Sequence, residues 1–76
     1  MSNPICEKII DLLTPNLGKN MAIATLDVQT QKIGKTSDTL SRQDLFSLSE
    51  KIKTGIKIFV GTEKANEIAA KITNIN

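Results

Sequence analysis

The sequence predicts an all-α fold, a compact bundle of four short helices at approximately 4–13, 15–33, 41–60 and 62–73. Three observations carry that expectation. Apolar residues recur at three- and four-residue spacing through most of the chain. Helix start and stop signals fall at Asn3-Pro4, Pro15, Gly34, Ser41 and Gly61. Phe46 and Phe59 are the only aromatics, so the core must be filled by Ile, Leu, Val, Met and Ala, which suits helix packing better than a sheet. The competing expectation is an α+β fold with a short strand at 56–60, where Ile56, Ile58 and Val60 alternate after Gly55.

The first helix opens with Asn3 as cap and Pro4 at the first helical position, where a missing N–H costs nothing. Ile5, Ile9, Leu12 and Leu13 give it one apolar face. Thr14 and Pro15 then read as the cap and first residue of the second helix. Along that helix Leu17, Met21, Ala24 and Val28 form one stripe and Ala22, Leu26 and Ile33 another, which predicts a central helix apolar over a wide arc. A strand over 23–30 is its rival. Gly34 supplies the left-handed stop, with Lys32 and Lys35 near the negative end of the dipole.

A polar connector, 35–39, leads to Leu40-Ser41-Arg42-Gln43-Asp44-Leu45. Ser41 caps, Asp44 answers it three residues later, and Leu40 and Leu45 take the two positions of a hydrophobic staple. Leu45, Leu48, Ile52, Ile56 and Phe59 continue the stripe across Gly55, a residue that permits close packing. Gly61 stops this helix and Thr62 caps the next, whose Ala65, Ile68, Ala69 and Ile72 make a narrow face suited to close docking. Residues 74–76 read as a frayed end.

A chain of 76 residues is expected to be a single small helical domain, 1–76. The absence of a linker-like tail favours a complete protein. One cysteine, Cys6, cannot form an internal disulfide, and there is no signal-peptide pattern, so a cytoplasmic location is expected. The longest apolar stretches are far shorter than the ~20 residues that span a bilayer, which argues against a membrane partner. Ten basic against eight acidic residues leave +2, too balanced to name nucleic acid or anionic lipid as a partner.

With no His, Trp or Tyr, most catalytic and metal-binding constellations cannot be assembled, and the expectation is no enzyme, no cofactor and no metal. Gly34-Lys35-Thr36 matches the end of a phosphate-binding loop, but the earlier glycine would fall at Gln29 and the sequence sits where a helix stops. A helix-turn-helix reading of 58–62 fails because the fourth helix mixes Glu63 and Glu67 with Lys64 and Lys71 and has no Arg.

What remains is a small non-catalytic protein–protein interaction or regulatory module. It would act alone or as a homodimer through apolar residues off the main stripes: Ile10, Ile23 and Ile58, with Cys6 beside them. The alternative is a nucleic-acid or anionic-ligand binder that uses Lys51, Lys53 and Lys57, together with Lys19 at a helix start.

Overall fold

Asn3 and Pro4 start the first helix as the sequence indicates. In the computed structural model, which describes residues 3–75, the Asn3 side-chain oxygen accepts the Ile5 N–H at 2.9 Å and Pro4 takes the first helical position. Helix α1 then runs Pro4–Leu17, past the expected end at Leu13. Pro15 lies inside it and opens nothing, and Thr14 is no cap, because its hydroxyl donates to the Ile10 carbonyl at 2.7 Å. The helix survives because the proline costs one backbone bond, to Asp11, on an exposed stretch where water can serve the carbonyl.

The chain turns at Gly18. Its φ of +82° and ψ of 158° are available to little but glycine, and it both closes α1 and opens α2. Gly18 donates to the Thr14 carbonyl at 2.8 Å and accepts the Ala22 N–H at 2.9 Å. Helix α2 spans Lys19–Lys32, four residues shorter at its start than expected, and no strand forms over 23–30. Gly34, at φ +74°, stops it with the bond pair of a Schellman motif: Gly34 N–H to the Gln31 carbonyl and Lys35 N–H to the Thr30 carbonyl.

One 3-10 turn, Arg42–Asp44, precedes helix α3, Leu45–Val60. The Ser41 N–H donates to Asp44 Oδ2 at 2.9 Å and its hydroxyl to the same oxygen at 3.2 Å, while Leu40 and Leu45 are both buried. The capping pair and the staple are therefore formed. Helix α3 continues unbroken through Gly55, so 56–60 is helical and the α+β alternative does not hold. A Cβ at Gly55 would come within 2.7 Å of Gln29 Nε2, so the missing side chain leaves room for the Gln29 amide of α2. Helix α4 is Thr62–Thr73, with Gly61 rather than Thr62 as its cap. Of the expected frayed end, Asn74 and Ile75 leave the helix as a turn and Asn76 lies outside the described residues.

The core draws on every helix: Ile9 and Leu13 from α1, Ala22 and Leu26 from α2, Leu48, Ile52 and Ile56 from α3, Ala65, Ile68 and Ile72 from α4. Each buried Leu or Ile contributes about 1.5–3 kcal/mol. The 33–41 connector is tied across it by Asn3, whose amide donates to the Ser37 and Leu40 carbonyls, and by the Cys6 thiol, which donates to the Ser37 carbonyl at 3.2 Å. Cys6, which the sequence leaves between core and edge, is a core residue, and one expectation changes: α2 is peripheral, its Ala22–Leu26 side facing in with Gln29 and Thr30, while Met21, Ala24 and Val28 face out.

The four helices form two hairpins built alike. Gly61 turns α3 into α4 with φ +88° and ψ 161°, donating to the Lys57 carbonyl at 2.8 Å and accepting the Ala65 N–H at 3.0 Å, which repeats the Gly18 joint. Alignment of Gly18 on Gly61, an offset of 43 positions, lays Glu7-Lys8-Ile9 on Glu50-Lys51-Ile52. The same offset matches the buried pairs Cys6 with Ser49, Leu13 with Ile56, Ala22 with Ala65 and Leu26 with Ala69. Helix pairings agree with this twofold relation: α1 with α2 and α3 with α4 pack most extensively, α2 with α3 and α1 with α4 less.

Candidate functional site

The basic residues do not gather. Lys53 and Lys57 stand one turn apart on α3, but Lys51, two residues before Lys53, points about 160° away around the helix. Lys53 is already engaged, with its ammonium 3.1 Å from Glu50. Lys19 opens α2 on a different side of the molecule, in a shallow depression shared with Glu7, Asp11 and Ile10. Two carboxylates there oppose an anion, although neither is near Lys19 in the sequence. The four lysines thus form no common surface.

The apolar candidates divide as well. Ile10 is half-buried against the core in that same depression, and Ile23, one turn on from Lys19, is partly exposed on α2. Ile58 lies on the last turn of α3 and is 87% exposed, the most open large apolar residue of the described chain. Beside it Phe59 is 62% exposed, and Phe46 at the other end of α3 is 66% exposed. Periodicity assigned Phe59 to the core stripe, and likewise Met21 and Val28. Phe59 is exposed because the last turn of α3 reaches past Ile56, the last buried residue of its stripe, and Met21 and Val28 because α2 carries two apolar stripes and only one can face inward. Gln29 and Thr30, one turn beyond the buried stripe, mark which one does.

Helices α1 and α4, the least closely packed neighbours, leave an open groove. One end, about 410 Å3, is bounded by Lys8, Asp11, Leu12, Lys71, Asn74 and Ile75, and the other, about 280 Å3, by Pro15, Asn16, Lys64, Glu67 and Ile68 together with shared residues. Its walls carry both signs of charge over a floor of Leu12 and Ile68. The helices run in opposite senses along it, since Lys8 meets Asn74 at one end and Pro15 meets Lys64 at the other.

Cys6, the one thiol, is not arranged for nucleophilic chemistry. Burial raises its pKa, Asp27 and Asp38 raise it further, and the hydrogen bond to Ser37 only partly offsets them, so it stays protonated at neutral pH. Among the described residues no three His, Cys, Asp or Glu side chains gather as a metal site, and no helix is long and apolar enough to cross a membrane. Against known proteins, the chain matches no family model, no curated protein and no solved structure.

Proposed function

We propose that the protein is a contact module, which works by burying apolar helix surface against another protein chain. One observation carries the reading: the only two aromatics of the chain, Phe46 and Phe59, and its most exposed isoleucine, Ile58, all lie on the surface of α3. A fold this small gains most from placing its largest apolar side chains inside. Phe46, Ile58 and Phe59 stand outside a core that is filled by smaller residues. A contiguous apolar patch kept in water is the mark of a surface that meets a partner, and Ile58 and Phe59 stand side by side in the last turn of α3.

The reading is tested with Ile58→Lys and Phe46→Lys, singly and together. Surface positions of this kind change stability by no more than about 0.5 kcal/mol, so urea midpoints measured at a concentration where the chain is monomeric should stay close to that of the unaltered chain. The double variant should lose salt-resistant association with protein partners from its source, the chain itself included. A large fall in stability would show that these side chains serve the fold. Association that survives in the double variant, or that disappears as salt rises, would also remove the reading, since hydrophobic contact is salt-tolerant and phosphate binding is not.

A further inference from the structure

The two hairpins differ most where their shared plan leaves surface. In the α1–α4 groove the α4 wall carries Lys64, Glu67 and Lys71. At the offset that aligns Gly61 with Gly18, these positions are Met21, Ala24 and Val28 of α2. Pro15 and Asn16 on the α1 wall become Ile58 and Phe59 of α3. Three charged residues on one side of the molecule are therefore three apolar residues on the other. Helices α2 and α3 pack together, and the Gln29 side-chain amide of α2 lies over Gly55 of α3. With the helices antiparallel, as α1 and α4 are, the residues one to two turns before Gln29 run beside the residues one turn after Gly55.

We infer that this α2–α3 face, made by Met21, Ala24 and Val28 with Ile58 and Phe59, is a homodimer interface that takes the same face of a second copy. The inference rests on the contact reading above and names its partner. Four of the five side chains are large, with exposures of 39% for Met21, 49% for Val28, 62% for Phe59 and 87% for Ile58. Together they present several hundred Å2 of mostly apolar surface, more than half of the ~800 Å2 per partner that a stable pair buries. Surrounding polar side chains of both helices complete the remainder as a rim. A face of this kind is self-complementary in charge. Its centre is uncharged, and its nearest cations, Lys32 and Lys51, lie together toward one end. A twofold contact between antiparallel pairs keeps the lysine ends of the two copies apart.

The repeat also supplies the test. In the variant Met21→Lys, Ala24→Glu, Val28→Lys, α2 receives the residues that α4 bears at equivalent positions, in the same order and with a favourable acid-to-base spacing of four. It should fold, with helical circular dichroism and, at a protein concentration low enough for both chains to be monomeric, a urea midpoint equal to or above that of the unaltered chain. Light scattering behind size exclusion, from micromolar to near-millimolar concentration and in low and high salt, should show a salt-resistant dimer for the unaltered chain. In the triple variant dimerisation should weaken by at least about 100-fold, as charge placed at an interface centre does. Phe46→Lys, at the far end of α3, should leave the dimer intact. An unaltered chain that stays monomeric throughout overturns the homodimer, as does a folded triple variant that still pairs. A monomer that nonetheless retains other protein partners through Ile58 and Phe46 would overturn this inference alone and leave the contact reading standing.

Discussion

Asp44 holds the start of α3 with a single carboxylate. Its Oδ2 accepts the Ser41 N–H and hydroxyl, and Lys35 stands 3.8 Å away. The Ser41 backbone bond is the largest influence and lowers the Asp44 pKa; desolvation comes next and raises it, and the Ser41 hydroxyl and Lys35 then add to the lowering, so the carboxyl lies below its ordinary value. A pKa lower in the folded than in the unfolded chain means that folding releases a proton. The stabilisation is complete above the unfolded pKa of about 3.9 and is lost as pH falls through the folded value. Asp44→Asn should therefore lower the melting temperature at neutral pH, with the gap to the unaltered chain closing as the medium is acidified. A gap that stays constant down to about pH 2 would assign the effect to packing and not to the charge. The sequence made this residue legible, because the Ser41–Asp44 spacing and the Leu40–Leu45 staple are local and each names its partner. Cys6 was not legible in that way. What buries it is the connector at Ser37, and no local pattern reports a contact made across that distance.

Two single-residue joints set the helix hairpins, and their energetics are those of the backbone alone. Gly18 and Gly61 hold φ of +82° and +88°, and a Cβ at either would meet no atom within 4 Å. Alanine there gains no clash and loses no contact, so the cost is that of an L-residue in a conformation close to glycine's own, on the order of 1–3 kcal/mol. Gly18→Ala and Gly61→Ala should each lower the urea-derived stability by that amount, and by similar amounts, if the two joints are one device used twice. A neutral Gly18→Ala would show that the α1–α2 joint is not strained as described. The sequence placed the Gly61 joint to within one residue, because its only rival start signal, Thr62, is the next position. At Gly18 the pair Thr14-Pro15 reads as a helix beginning, since proline is favoured at a first helical position and enters a last turn only at a cost. Which applies depends on whether Thr14 turns its hydroxyl forward to cap or back to Ile10, and the residue types are the same in both cases.

Four helices and one core follow from period, caps and composition, but the repeat that organises them does not stand out in the chain. Only scattered identities such as Glu7-Lys8-Ile9 with Glu50-Lys51-Ile52 mark it, and the glycine conformations and buried pairs are what make it visible. The candidate surface was half legible for the same reason: Ile58 stood out as off-stripe, whereas Met21, Val28 and Phe59 fitted helical stripes and were assigned inward. An amphipathic stripe states that a face is apolar and leaves open whether it meets the core or another chain. The uneven use of the helices leads to a test of the whole molecule. Helices α3 and α4 share the most extensive pairing, whereas α2 gives the core only Ala22 and Leu26 as apolar residues, beside Gln29 and Thr30. Local opening follows the apolar contact each segment stands to lose. Amide hydrogen exchange at low protein concentration should therefore find α2 the least protected helix and the facing sides of α3 and α4 the most. Raised concentration should slow exchange most in α2 and the last turn of α3, because a second copy would cover only the α2–α3 side, while elsewhere only the amides that open by global unfolding slow. Equal protection of all four helices at every concentration would mean that the bundle opens as one unit and that α2 is held by more than its two apolar anchors.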